Sequence, residues 1–236
     1  MAERALTPLR RERPRGRPDL RRELPPEPRM DLSSRSTRIP MKTPEPTSRS
    51  YKLVPFFEDA LADAREILNF GSGDGYLSHY LEARPRAQGR IAITDVDVQD
   101  HSTTGRTPIL FDGARLPFAD GHFDATLCMY VLHHTPDPDP LIAEIRRVTR
   151  RTVIVTEDLA ETLLDKALCL YHAIRFDHWN TRTGRFGFRT HEGWERAFAA
   201  QGLRLVRSRR LPRVSALTNT LYPVRRALMI FERGDA

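Results

Sequence analysis

Between residues 53 and 233, short apolar runs alternate with stretches whose apolar residues recur at helical spacing. Phe56, Phe57, Ala60, Leu61 and Ala64 share one face of a helix, which predicts an amphipathic helix over Leu53–Ala64. Glu66–Phe70 (EILNF) reads as a short buried strand ending in a glycine loop, and Tyr76–Ala83 as the helix after it. Arg90–Thr94 (RIAIT), Pro108–Phe111 (PILF) and Phe123–Tyr130 (FDATLCMY) read as the second, third and fourth strands. The fourth is apolar nearly throughout, as a strand covered on both faces must be. Leu141–Thr149 reads as a helix with Asp137 or Asp139 as its cap, and Thr152–Thr156 (TVIVT) as the fifth strand. Helices near Leu159–Ile174 and His191–Gln201, with strands near Leu203–Ser208 and Ala227–Glu232, complete the series. Strands alternating with helices predict an α/β doubly wound sheet, and such sheets bind ligands at the carboxyl ends of their strands.

The length of 236 residues suits one core-forming domain. A net charge of +7 suggests a nucleic-acid partner until it is divided along the chain. Residues 1–50 hold 13 Lys+Arg, 7 Asp+Glu and 9 of the 18 prolines. Such low hydrophobicity and high charge do not offset the cost of ordering, so a disordered, solvated tail is expected. Glu3, Glu12, Asp19 and Glu23 among the prolines set it apart from a transit peptide. Residues 51–150 carry −5 and residues 151–231 carry +7, leaving a nearly neutral domain over 51–236. No run approaches the roughly 18 apolar residues of a membrane span, and no signal-peptide core is read. Cys128 and Cys169 cannot make a disulfide framework, which suits a reducing cytoplasm.

The glycine loop narrows the chemistry. In Ile67-Leu68-Asn69-Phe70-Gly71-Ser72-Gly73-Asp74-Gly75-Tyr76, Gly71 permits a tight turn and Gly73 lets backbone approach a ligand. Gly75 leads into a helix whose first amides favour a carboxylate. Tyr76 stands where a dinucleotide fingerprint needs its third glycine, and no Gly-Lys-Ser/Thr follows, so pyrophosphate and P-loop readings weaken. Asp95 closes the second strand, where a carboxylate can accept both hydroxyls of a ribose. Asp112-Gly113 follows the third, where an acid can accept from an adenine amino group. Each feature alone has a structural reading as a turn or helix cap; in this order they describe an adenosine site.

On these residues, and on FDGARLPFADGHFDATLCMYVLHH followed by DPLIAEIRRVTRRTVIVTED, the chain resembles the class I S-adenosylmethionine-dependent methyltransferases. It is most similar to their ubiquinone/menaquinone-type small-molecule group, over about residues 54–233. The resemblance implies a Rossmann-like sheet of seven strands, order 3-2-1-4-5-7-6, with the last strand antiparallel and helices on both faces. It also implies S-adenosyl-L-methionine as cofactor. Gly71, Ser72, Gly73, Asp74 and Gly75 would wrap its methionine end, Asp95 and Val96 its ribose, Asp112 and Gly113 its adenine. Met129 and Tyr130 would border the sulfonium. Asn69 departs from the acid that many members carry there, and the helix usual between Asp95 and Asp112 has little room.

Methyl transfer from a sulfonium is an in-line displacement that needs positioning, and needs a base only when the nucleophile starts protonated. His133 and His134 follow the fourth strand and are candidates for a base, or for loop packing. No third ligand is spaced with them, so no metal is expected. Glu157 and Asp158 at the end of the fifth strand can orient an amine or hydroxyl, or cap the following helix. The resemblance implies a cofactor half at about 51–158 and a substrate-covering insertion at about 159–190, of which Asp177, His178, Trp179 and Asn180 are the most site-like members. The turn typical of base-amine methylation and the paired-glutamate loop of the protein-arginine type are both missing, which leaves a small organic or lipid-like acceptor, and the +7 across residues 151–231 points to an acidic one. A non-catalytic cofactor-binding protein and a nucleic-acid methyltransferase remain as alternatives, the second disfavoured.

Overall fold

The computed structural model describes residues 46–47, 49–84, 90–176, 187–213 and 223–234. Strands β1 (Glu66–Phe70), β2 (Ala92–Asp97), β3 (Ile109–Leu110), β4 (Phe123–Met129), β5 (Thr149–Leu159), β6 (Leu203–Leu211) and β7 (Arg225–Arg233) form one sheet. Its order is β3-β2-β1-β4-β5-β7-β6, the order that the resemblance implies. Strands β1 to β5 pair in parallel, and β7 runs antiparallel to both β5 and β6. Among the described residues the helices are α1 (Tyr76–Glu82), α2 (Asp139–Val148), α3 (Leu163–Phe176) and α4 (His191–Ala200).

Alternation along the central strands divides the core in two. Leu68, Phe70, Val153 and Val155 pack with Ile142 and Ile145 of α2 and with Trp194 and Phe198 of α4. On the other face Ile67, Leu127 and Ile154 pack with Leu77 and Leu81 of α1 and with Leu53, Phe57 and Leu61. Every residue of β4 is buried, because both faces of this middle strand are covered. Burying a side chain such as Phe57 contributes about 1.5–3 kcal/mol.

Three expected elements change. The helix over Leu53–Ala64 is instead two 3₁₀ turns, Ser50–Phe56 and Glu58–Leu61. Pro55 has no amide to donate and its ring crowds the preceding turn, so an α-helix cannot run through it. The apolar positions still reach the core. Strand β2 continues to Asp97, because β3 pairs with Val96 and Asp97 and the glycine loop bonds to the Val96 carbonyl. Asp95 therefore lies inside the strand. Strand β5 continues to Leu159, so Glu157 and Asp158 sit in the sheet opposite Ala227 and Arg226 and cap no helix.

Helix α3 is capped by other residues. Asp165 Oδ2 accepts from the Thr162 amide (3.0 Å) and hydroxyl (2.7 Å), while the Asp165 amide donates to Thr162 Oγ1 (3.2 Å). Arg213 (3.0 Å) and Arg225 also donate to this buried carboxylate. Burial alone would raise its pKa, but the Thr162 hydrogen bonds and Arg225 outweigh it and hold the carboxyl below its usual range. A depressed folded pKa stabilises above the unfolded value of about 3.9, and the contribution disappears as pH falls through the folded value. Asp165→Asn is expected to lose about 2 kcal/mol at neutral pH, because both arginines are partly solvated. The gap in melting temperature from the native chain should narrow below about pH 4, followed by circular dichroism. A gap indifferent to acid would refute this role.

Edge strand β6 is protected by charge. Arg204 pairs with Glu232 (3.6 Å), Arg207 with Asp59 (2.9 Å) and Arg210 with Glu161 (3.3 Å), while Arg209 lies 4.2 Å over the Phe56 ring.

Candidate active site

The glycine loop joins β1 to α1 at the carboxyl end of the sheet. The Val96 carbonyl accepts from the amides of Gly71 (2.8 Å) and Ser72 (3.1 Å), which ties the loop to β2. Gly71 has φ +69°, and a Cβ there would lie 2.4 Å from Val131 Cγ2, so this glycine answers to packing. Gly73 has φ +54°, and a Cβ there would meet nothing within 4 Å. Its missing side chain faces open space, as a cradle for a ligand requires. The Gly73 amide donates to Asp97 Oδ2 (2.9 Å). Asp74 turns inward: Oδ1 accepts from the Tyr76 amide (3.0 Å) and Oδ2 from the amide (2.8 Å) and hydroxyl (2.7 Å) of Thr47. Ordered contacts thus begin upstream of residue 51.

The carboxylate expected for the ribose is already engaged. Asp95 Oδ1 accepts from Asn69 Nδ2 (2.9 Å) and Ser78 Oγ (2.5 Å), and Oδ2 from Arg106 Nε. Arg106 also bonds Glu82 (2.6 Å) and the Ile93 carbonyl (2.7 Å), which lies beside the short reach of β3. The network explains Asn69, because a second acid beside Asp95 would set two carboxylates together where an amide can donate. Asp97, two residues further on and half-buried, is the carboxylate beside the open face of Gly73. Strand alternation puts it on the same face as Asp95, but only the extent of β2 reveals it as the strand's end. Asp112 lies exposed after β3. Its Oδ1 accepts from the amides of Ala114 (2.8 Å) and Arg115 (3.1 Å), which hold its carboxyl below the usual range. Gly113 beside it has φ +79°.

The end of β4 carries the second cluster. Met129 Sδ accepts from the Thr156 hydroxyl (3.2 Å). Tyr130 has φ +61°, a conformation that costs a bulky residue about 1–3 kcal/mol and gathers at functional sites. Burial pushes its phenol well above the usual range, despite Arg226, whose guanidinium lies 6.0 Å from the ring. Arg226 Nε donates to Asp158 Oδ1 (2.9 Å), so Asp158 belongs to a buried ion pair between β5 and β7. Glu157 points to the other face. Its Oε1 accepts from the amides of Val131 (3.2 Å) and Leu132 (2.8 Å), and its Oε2 meets His133 Nδ1. The turn Leu132–His134 is thereby fixed against the fifth strand. The His134 ring lies tilted beside that of His133, with centroids 4.2 Å apart.

The insertion returns over this turn. Leu159 bridges to Arg189, Arg189 pairs with Asp139 (2.9 Å), and the Phe188 ring lies 4.8 Å from that of His133, inclined by 18°. A Cβ on Gly187 would fall 2.4 Å from the Thr135 carbonyl, so the returning chain rests on the histidine turn. Asp177, His178, Trp179 and Asn180 lie outside the described residues. Two clefts of about 700 and 580 Å³ lie at the amino ends of the strands near Asp63, Ala64, Asp124 and Arg151. That end of a parallel sheet is opposite the usual ligand crevice.

Residues 68–155 match a family model described as a methyltransferase domain. Over 112 residues the chain is 26% identical to the ubiquinone/menaquinone biosynthesis C-methyltransferase UbiE of Cupriavidus necator, a match covering 43% of this chain and 46% of that one. The chain thus spans about half the length of this curated relative. Among solved structures it is similar to the 4+2 cyclase SpnF, with a TM-score of 0.59 and 16% identity over 79% of this chain and 82% of that one. A methyltransferase from Methanosarcina mazei gives 0.57 and 16% over 76% and 97%. The magnesium protoporphyrin IX methyltransferase of Synechocystis PCC 6803, solved with bound SAH, gives 0.53 and 16% over 78% and 81%. The sheet order, the glycine loop that β2 holds open at Gly73 and the match over β1 to β5 make residues 68–155 similar to a methyltransferase domain.

Proposed function

We propose that the chain transfers a methyl group from S-adenosylmethionine to a small organic acceptor. The observation that carries this reading is the open face of Gly73 on the same sheet end as the His133–Glu157 pair, one beside β2 and the other after β4. Gly71, Ser72 and Gly73 offer backbone to the methionine end of the cofactor, Asp97 a carboxylate to its ribose, and Asp112 with Gly113 the adenine side. Asp95 holds Asn69, Ser78 and Arg106 in place behind them. Bound there, the cofactor supplies an electrophilic methyl on a sulfonium. Tyr130 and Val131 set the wall between the two clusters.

On the acceptor side, Glu157 Oε2 meets His133 Nδ1, and in the neutral tautomer that keeps its proton on Nδ1 the basic nitrogen is Nε2. An imidazole oriented by a buried carboxylate can take a proton from a hydroxyl or an acidic carbon as the methyl moves. The Phe188 ring covers one face of the His133 imidazole. The names of two relatives, a quinone-pathway C-methyltransferase and a porphyrin methyltransferase, support a small and largely apolar acceptor. The paired arginines of β6 favour that class over nucleic acid, since their charge is already answered within the domain. A cytoplasmic setting is part of the proposal: the buried Cys128 and Cys169 form no disulfide, and no described helix is long and apolar enough to cross a membrane.

Calorimetry with S-adenosylmethionine, followed by mass spectrometry of products from quinol, phenol and carboxylate acceptors, tests the reading. A chain that binds no cofactor overturns it. Glu157→Gln should keep cofactor affinity and lower the turnover of any acceptor found by about 10²–10⁴-fold, because the imidazolium loses its counter-charge. Unchanged turnover would remove the pair from the chemistry.

A further inference from the structure

Helix α3 brings a third histidine to the pair after β4. One ring nitrogen from each of His133, His134 and His172 lies within 4.8 Å of the other two. The ring centroids of His172 stand 5.6 Å from His133 and 5.5 Å from His134. We propose that these three histidines form a binding site for a divalent, zinc-like cation, with Glu157 as the carboxylate behind it and Phe188 as its wall.

Three features fit the chemistry. Imidazole is a preferred ligand for zinc, and three imidazoles with one open position are the donor set of catalytic zinc sites. Metal-bound histidines commonly donate their second ring N–H to a carboxylate, which sets the tautomer and the ring orientation. Glu157 stands in that relation to His133, is fully buried, and is itself held by two backbone amides. The rings are also placed by packing: Phe188 stacks on His133 and meets the His172 ring edge-on, with centroids 6.2 Å apart. Metal–nitrogen bonds of about 2.0–2.1 Å require the three nitrogens to draw together by roughly 1–1.5 Å, within reach of side-chain rotation.

Cation binding itself is independent of the methyl-transfer reading. The use of the fourth position does rest on it: an acceptor's hydroxyl or carboxylate oxygen can coordinate there and lose its proton more readily. The two roles of His133 exclude each other at Nε2. A proton-accepting ring is inhibited by added metal, whereas a metal ligand makes the chain sensitive to chelators.

The test uses the full-length chain without a histidine tag, titrated with cobalt(II) alone as a spectroscopic probe and then with zinc(II) in competition. One equivalent of cobalt should give visible ligand-field bands, zinc should displace it, and X-ray absorption of the cobalt-loaded native chain should count three imidazoles. His172→Ala and His172→Gln should each weaken binding by about 100-fold or more, and Glu157→Gln by about 10–100-fold. Circular dichroism melts of the same variants read whether they are folded, and calorimetry with S-adenosylmethionine reads whether they still bind cofactor. Absence of a one-to-one cobalt complex, fewer than three imidazoles, or unchanged affinity in a folded His172 variant overturns the site. Failure of cobalt binding with cofactor binding intact would remove the metal and leave the methyltransferase reading standing.

Discussion

Replacing Gly73 with leucine is expected to abolish S-adenosylmethionine binding while the sheet stays folded. The position has φ +54°, so a side chain costs about 1–2 kcal/mol of backbone strain, a few degrees in the melting temperature of a domain this size. Nothing within 4 Å opposes its Cβ, so no packing penalty follows. The isobutyl group would fill the space that the loop leaves to the cofactor, and a loss of about 100-fold or more corresponds to only about 3 kcal/mol of excluded contact. Gly71→Ala should do the reverse. Its Cβ would lie 2.4 and 2.7 Å from the two methyls of Val131, so overpacking adds about 1–3 kcal/mol to the same strain and stability falls first. Thermal melts and calorimetry on both variants separate the effects. A Gly73→Leu chain that binds within tenfold of the native one would show that the cofactor does not lie on this loop.

Asp95→Ala is expected to unfold the site as well as empty it. The substitution would leave Arg106, Asn69 and Ser78 without their common acceptor at a position where the aspartate side chain is 3% exposed. Removing one member of such a buried pair costs about 3–5 kcal/mol, and the lower figure suits an arginine that keeps Glu82 and the Ile93 carbonyl. That is a fall of roughly 6–12 °C. Asp97→Ala should instead leave the melt within a few degrees and weaken cofactor binding, since Asp97 meets the loop only through the Gly73 amide. If Asp95→Ala melts like the native chain and only binding is lost, Asp95 is itself the ribose acceptor and the network around Arg106 is dispensable.

Much of the fold was legible because its signals are local. The strand–helix alternation, the apolar run of β4 and the glycine spacing after β1 each reflect constraints within a few residues, and the expected sheet order followed from motifs in that same stretch. Misread boundaries have non-local causes. The length of β2 depends on β3 and the glycine loop, and that of β5 on its antiparallel partner β7. The proline break at Pro55 was visible in the sequence and outweighed by helical spacing that 3₁₀ turns also satisfy.

For the candidate site the division is sharper. The sequence by itself placed acids, glycines and the histidine pair at the carboxyl ends of the strands, because each lies next to the strand that carries it. Only the tertiary structure decided which acid is saturated and which is poised. Asp95 is met by Arg106, folded back from the loop after β2, while Asp97 is met by the Gly73 amide. It likewise joined His133 to Glu157, 24 residues away, and brought His172 to both histidines from α3. No spacing rule encodes those meetings, since they depend on how β4, β5 and α3 pack rather than on the chain between them.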